Sequence, residues 1–341
     1  MPTLGRTVGI IGAGVAGLVC ARELAANGFD VKVFDKGRSV GGRTATRRAE
    51  PDFAFDHGAQ YFTARSLRFQ KVTADWLSRG IVAEWRGRVV RLENGVVTDT
   101  SPLPRYVGVP VMTAMVADLA SAMRVQTKTQ VVAMSRGPSG WTIKTDAHEN
   151  VGPFETVVVT LPAPQSAEFL QPHAFGAIAA TVAMTPCWAV MVAFESKLEV
   201  PWDGAFVHDS PLSWVARNSS KRGRIGRSDC WVLHASPEWS AGHLEAAPDT
   251  AARLLLSAFS SVIEKRLPSD SHLTAHRWRY SHGSDADDRG MLFDPEVGLA
   301  VCGDWLAGGR VEGAFLSGVG AAEAICDSKG LKLGESGFYS I

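Results

Sequence analysis

The chain has 341 residues, 45% of them hydrophobic and 21% charged, which is enough for a large core and two domains. Its 35 lysines and arginines balance its 35 aspartates and glutamates, so no global field draws it to nucleic acid or to an anionic membrane. Five scattered cysteines with no CxxC pair make no disulfide framework and fit a reducing compartment.

The apolar run 8–26 has the hydrophobicity of a secretion signal, but Gly9, Gly12, Gly14 and Gly17 interrupt it and Arg22 and Glu23 break it. No other stretch approaches the roughly 18 apolar residues of a membrane span, and the expectation is a soluble, cytoplasmic protein. Residues 6–11 read as a short buried strand, 14–27 as a helix closing at Gly28, and 30–35 as a second strand ending in an acid. That is the opening of an α/β unit. Residues 89–106, broken by Gly and Pro, suggest a β-rich excursion. Residues 110–123 suggest a helix with proline in its first turn. Segments 124–129, 131–136 and 141–145 resemble small antiparallel strands, the last two joined by the turn Gly137-Pro138-Ser139-Gly140. Residues 155–161 are nearly continuously apolar and 299–303 are apolar, as strands buried in a parallel sheet are. Segments 189–195 and 231–234 and the helix 248–267 belong to a second region, and 311–327 is a Gly- and Ala-rich helix.

Gly12-Ala13-Gly14-Val15-Ala16-Gly17 stands between the first strand and the first helix. The first glycine permits the tight turn, the second lets the backbone approach a pyrophosphate, and the third lets helix and strand pack closely. The helix N-terminus turns free N–H groups and partial positive charge toward the phosphates. Asp35, with Lys36 beside it, follows about twenty residues later at a strand end, where an acid accepts ribose hydroxyls. These features predict dinucleotide binding.

Gly41-Gly42-Arg43-Thr44-Ala45-Thr46 resembles the second fingerprint of the flavin-containing amine oxidase superfamily, whose arginine reaches the pyrophosphate. Val301-Cys302-Gly303-Asp304-Trp305 and Gly309-Arg310-Val311-Glu312-Gly313-Ala314-Phe315 resemble its ribitol and isoalloxazine site. The resemblance implies that Gly303 and Asp304 meet the ribityl end. It also implies that the helix opening at Glu312, with Gly313 and Ala314, aims N–H groups at the flavin N1–C2=O edge. The implied cofactor is FAD, held non-covalently, since Cys302 sits inside its strand. The implied fold is α/β: a glutathione-reductase-like Rossmann domain for FAD/NAD(P) with a second α+β substrate domain. The FAD domain is expected over 1–75, 107–165 and 275–330, the substrate domain over 76–106 and 166–274, and a tail over 331–341.

Asp56-His57-Gly58-Ala59-Gln60-Tyr61-Phe62-Thr63, with Pro201-Trp202, Trp214-Val215-Ala216-Arg217-Asn218 and Trp278-Arg279, resembles the renalase group, its bacterial members above all. The resemblance spans residues 5–325. It implies oxidation of 2- and 6-dihydro forms of NAD(P), with electrons passing to FAD and then to O2 to give hydrogen peroxide. Ala59, Gln60 and Tyr61 would line the flavin, and Val131 would meet the adenine end through its backbone. A true amine oxidase and a flavin-binding redox sensor without turnover are the alternatives.

Direct hydride transfer from a dihydropyridine needs no catalytic nucleophile or base, so pocket residues are expected instead. Tyr61, Trp214, His234, Trp278 and Trp305 are the candidates, each competing with a plain packing role. The basic cluster Arg217, Lys221, Arg222, Arg224 and Arg227 is either a solvated loop or a greeting for substrate phosphates. No metal is expected. His272 and His276 at helical spacing, and Cys230 with His234 on one strand face, lack further ligands. Asp285-Ala286-Asp287-Asp288 lacks the Gly and terminal Glu of a calcium loop. The partners expected are a small dinucleotide and O2, without nucleic acid or membrane. The oligomeric state is open.

Overall fold

The segment Thr7–Ile11 (TVGII) has no polar alternation, so it is buried only where both sheet faces are covered. It takes the middle of a six-stranded sheet, between Thr156–Val159 and Asp30–Phe34, parallel to both. The structure, a computed structural model, describes residues 6–100, 103–224, 226, 228–283 and 288–333. The sheet runs Leu292–Asp294, Leu299–Val301, Thr156–Val159, Thr7–Ile11, Asp30–Phe34, Arg124–Gln126, with only Leu292–Asp294 antiparallel to its neighbour. Helices Val15–Ala26 and Arg310–Asp327 pack on one face through Leu18, Val19, Phe315 and Val319. The other face carries a meander of Val131–Gly137, Gly140–Thr145 and Asn150–Phe154, whose Phe154 meets Phe34 edge-on.

A second sheet of seven strands runs Asp270–Gly283, Met184–Phe194, Asp229–Ala235, Leu212–Arg217, Gly204–Val207, Val89–Glu93, Val96–Asp99. Successive side chains on a strand alternate between faces, and directly paired residues share one. Trp188, Val190, Val215, Trp231 and Leu233 point outward against helix Pro248–Ile263, whose Ala252, Leu255 and Phe259 fill the gap. The inner face looks toward the first sheet. Pairing aligns Phe206, Trp214, His234, Ala189 and His276 in one row across it. In the next two rows along, Met191 with Val232 and Ala193 with Cys230 receive Phe55.

Four expectations are corrected. Arg124–Gln126 is a parallel edge of the first sheet, because its partner is Asp30–Phe34 and not the neighbouring meander. The helix expected over 110–123 covers only Ala114–Ala120. The chain before it is turned so that Met112 N donates to Asp56 and Thr113 Oγ1 accepts from Thr46 N. The boundary expected at 275 falls inside the 14-residue strand Asp270–Gly283, which pairs with Met184–Phe194 along its length. Helices Ala163–Phe169 and Ala174–Ala180, expected largely with the substrate domain, pack instead beside Val157, Val159 and Leu299 of the first sheet. Of the expected tail, Leu331 and Leu333 rest on the first core and 334–341 lie outside the described residues. No helix among the described residues is long and apolar enough to cross a membrane.

Candidate functional site

The first strand ends in a turn that only glycines satisfy. Gly12 has φ +112° and donates its N–H to Phe34 O at 2.8 Å. A Cβ there would lie 2.2 Å from Thr160 Oγ1, and one at Gly17 would lie 2.1 Å from Gly12 O. At Gly14 nothing stands within 4 Å of a Cβ, and helix Val15–Ala26 starts there with no side-chain cap. Free N–H groups therefore face open space at the positive end of a helix, which is the cradle a pyrophosphate needs. Ala13 and Ala16 are buried within this turn.

Asp35 accepts from Ala13 N and Gly37 N, both at 2.6 Å, one on each carboxylate oxygen. It braces the turn, and each oxygen keeps a lone pair for a ribose hydroxyl. Lys36 beside it is exposed. Thr129 N donates to Asp35 O and Lys128 N to Gly37 O, so the backbone leading to half-buried Val131 runs alongside. Gly41 N donates to Ala13 O and sets Gly42 next to Gly14.

Arg43 and Asp304 hold each other: two guanidinium N–H groups reach the two carboxylate oxygens at 2.6 and 3.0 Å, and Arg43 also donates to Ser281 O. The expectation had Arg43 on the pyrophosphate and Asp304 on hydroxyls. The bidentate pair is what two convergent opposite charges form between themselves. Gly303 N donates to buried Ser317 Oγ. The last helix opens at Arg310, not at Glu312. The Glu312 carboxylate takes Ser66 N at 2.6 Å and Arg65 N at 3.1 Å, tying this helix to the start of Leu67–Ser78. Gly313 packs against Ala307 O, and Ala314 is half-buried.

Between the sheets lies the segment 56–62. Gly58 abuts Arg43 O, to which Ala59 N donates at 2.8 Å; a Cβ on Gly58 would stand 2.0 Å from that oxygen. His57 O accepts from Trp278 Nε1 at 3.0 Å and bonds His234 Nε2 at 3.1 Å. The rings of His57, His276 and Trp278 lie 4.5–4.9 Å apart in pairs. Tyr61 sits 5.5 Å from Trp214, which is 4.6 Å from Phe206, and Arg105 lies over Tyr61 at 5.5 Å. Trp214 Nε1 is buried with no partner among the described residues. The structure thus brings Tyr61 and Trp214 together, and His234 with Trp278 close by. Trp305 stands apart. It is 1% exposed in the core of the first sheet and donates to Leu161 O, so the pocket role expected of it is corrected to packing.

Burial keeps these imidazoles neutral. It pulls His57 down to about 3, helped by the nearby His276, Arg47 and His234, and pulls His234 down to about 4. His276 falls below its ordinary value through burial and the Arg47 charge.

The basic cluster is corrected as well. Arg217 is buried on Asp229 and Leu198 O under the Trp231 ring. Lys221 and Arg224 are buried on Asp56, Arg222 is exposed, and Arg227 lies outside the described residues, as do Asp285, Ala286 and Asp287. His272 and His276 stand on a strand, where i and i+4 share a face without the helical closeness that their spacing suggested. The parts missed from sequence are His57, His276 and the Asp56 network. The motif 56–63 pointed to the place, but partners more than 160 residues away carried no local signal.

Residues 10–76 match the NAD(P)-binding Rossmann-like domain. Residues 106–326, more than half of the chain, match the flavin-containing amine oxidoreductase family. The chain belongs to that family. Its members are flavin-dependent oxidoreductases, and FAD is the cofactor that the turn, Asp35 and the Arg43 loop fit. A flavin-containing monooxygenase, FMO GS-OX-like 2 of Arabidopsis thaliana, is 52% identical over 52 residues, which are 15% of this chain and 11% of that protein. The chain thus spans about a tenth of the curated relatives it matches. A reduced UDP-galactopyranose mutase shares the fold, with TM-score 0.74, 12% identity and coverage of 99% and 96% of the two chains. So does a putrescine oxidase triple mutant redesigned in its cofactor binding, with TM-score 0.71, 15% identity and 94% and 98% coverage.

Proposed function

We propose that this flavoprotein is an oxidase of isomeric dihydronicotinamides, converting 2- or 6-dihydro-NAD(P) to the ordinary oxidised nucleotide, as the resemblance to the renalase group implies. The observation that carries this is the neutral aromatic lining of the inner sheet face. Tyr61, Trp214 and Trp278 supply rings, and His57, His234 and His276 are held uncharged by burial. A dihydropyridine needs a dry surface to lie against and correct placement, which these residues supply without a base. Bound FAD supplies the two-electron acceptor and the route to O2, with hydrogen peroxide as product.

Charge favours the same substrate class over amines. An amine is an ammonium ion at neutral pH. Asp56 and Asp304, the carboxylates beside this region, are already held by Lys221, Arg224 and Arg43. A cationic surrounding repels ammonium and tolerates the phosphates of a nucleotide.

The test is the visible spectrum of the FAD-loaded protein under anaerobic conditions, before and after adding mixed dihydronicotinamide isomers. Bleaching within seconds by the 2- or 6-isomer, and not by ordinary NADH or amines, is the expected result. Reduction by amines alone overturns the reading in favour of an amine oxidase. A flavin that neither class reduces points to a redox sensor.

A further inference from the structure

Asp56 is a fully buried carboxylate shared by two cations. Its Oδ2 accepts from Lys221 Nζ at 3.2 Å and from the Arg224 guanidinium, while Oδ1 takes Thr46 Oγ1 at 2.9 Å and Met112 N at 3.0 Å. The Lys221 side chain is 0% exposed and the Arg224 side chain 3%. All three ammonium hydrogens of Lys221 find acceptors: Asp56, Gln60 Oε1 at 2.9 Å and Asn218 Oδ1 at 3.1 Å. Gln60 closes the ring by donating to Asp56 O.

One cation suffices to neutralise one carboxylate. Burying an ion is expensive, and a buried ion pair is often replaced by apolar residues without loss of stability. A second cation, with its hydrogen bonds complete, leaves a surplus positive charge in the interior that stability alone does not explain. Its surroundings are functional ones. Gln60 precedes Tyr61 of the aromatic face, Ala59 is tied to Arg43, and His234 is close enough to feel the lysine charge. The Trp85 ring stands 5.8 Å from Nζ and adds cation–π attraction on the remaining side.

We propose that Lys221 is a positioning residue of the oxidation centre, keeping an uncompensated positive charge behind Gln60 that favours the reduced state of FAD. Two-electron reduction at neutral pH takes up two electrons and one proton, so the cofactor gains one negative charge. A fixed positive charge in a low-dielectric interior stabilises that gain without rearranging. The proposal rests on FAD in the cleft and not on which substrate reduces it.

The charge is conditional. Burial pulls the Lys221 ammonium down to about 8, against the raising effect of Asp56 and with the lowering effect of Arg224. Burial pushes the Asp56 carboxyl up, but the Lys221 and Arg224 charges hold it below the usual carboxylate range. The surplus charge therefore belongs to Lys221 below about pH 8 and is lost above it.

The experiment is the midpoint potential of the bound FAD from pH 6.5 to 9.5, with dithionite as reductant and a reference dye, in the wild type, Lys221→Arg and Lys221→Met. In the wild type an extra fall of the potential is expected near pH 8 or slightly above. Lys221→Arg keeps the charge and loses the extra fall. Lys221→Met loses both, with a preference for reduced FAD about tenfold weaker at pH 7, which is about 30 mV for a two-electron couple. Equal potentials in Met and wild type at pH 7, or an extra fall that survives in either variant, overturn the proposal. Where Lys221→Met does not fold, the wild-type and Lys221→Arg profiles decide alone: the proposal fails if they coincide. No dihydronicotinamide enters the measurement, so its result is independent of the substrate assignment.

Discussion

A Cβ at Gly17 would collide with Gly12 O, while a Cβ at Gly14 meets open space three residues earlier. Gly17→Ala therefore lowers the stability of the apoprotein by about 1–3 kcal/mol, read as a fall in its melting temperature. Gly14→Ala leaves that melting temperature unchanged and weakens FAD binding at least tenfold in a fluorescence titration, because only the cofactor needs the space. His57 and His234 give a second prediction. Their folded pKa values, about 3 and about 4, lie below the ordinary 6.5, so the folded state binds fewer protons than the unfolded one. Their contribution is complete above pH 6.5 and is lost as the pH falls toward 4 and then 3. Each adds a slope approaching about 1.4 kcal/mol per pH unit. His234→Gln, whose amide still donates to His57 O, makes the urea-measured stability fall less steeply between pH 6.5 and 4.5. An unchanged slope would show that His234 is already protonated there. At this scale the glycine turn and the acid at Asp35 were legible because close approach leaves a mark in local spacing, whereas Arg43, expected on the pyrophosphate, pairs with Asp304, 261 residues away. Lys221 was not. It reads as one basic residue in a loop, and its meaning comes from Asp56, 165 residues earlier in the chain.

Helix Pro248–Ile263 shows how an element separates stability from function. Its buried residues Ala251, Ala252, Leu255 and Phe259 cover the outer face of the second sheet, with Phe259 5.3 Å from Trp231. The rings of the candidate site occupy the inner face. Leu255→Ala is expected to lower unfolding free energy by about 2–5 kcal/mol while the affinity for FAD stays within twofold, checked by denaturation and flavin titration on the same preparation. The central strands Thr7–Ile11, Thr156–Val159 and Leu299–Val301 were visible in the text as nearly unbroken apolar runs, since burial on both faces removes any need for polar alternation. Arg124–Gln126 was misread because sequence neighbours suggest hairpins, whereas its hydrogen bonds go to a strand about ninety residues earlier. The boundary at 275 was misplaced for a related reason. A strand of 14 residues carries no punctuation where one function gives way to another.

On the scale of the molecule, the pair Arg43–Asp304 and the bond from Arg43 to Ser281 O clamp segments 238 and 261 residues apart. Lysine in place of Arg43 keeps the charge but not the planar fork. Arg43→Lys is expected to lower the stability of the apoprotein by about 1.5–3 kcal/mol, seen as a lower denaturation midpoint. The same architecture sets a timetable. Within its sheet Thr7–Ile11 is made before the others, yet one of its two flanking strands is Thr156–Val159, and Leu299–Val301 and the packed helix Arg310–Asp327 follow later still. At roughly 5–20 residues per second, this sticky segment emerges from the ribosome many seconds before its second neighbour exists. An apolar segment exposed through that interval is open to aggregation before its sheet partners exist. Slower, cooler expression should favour yield of folded protein over aggregate, and added riboflavin can help only after Arg310–Asp327 is out.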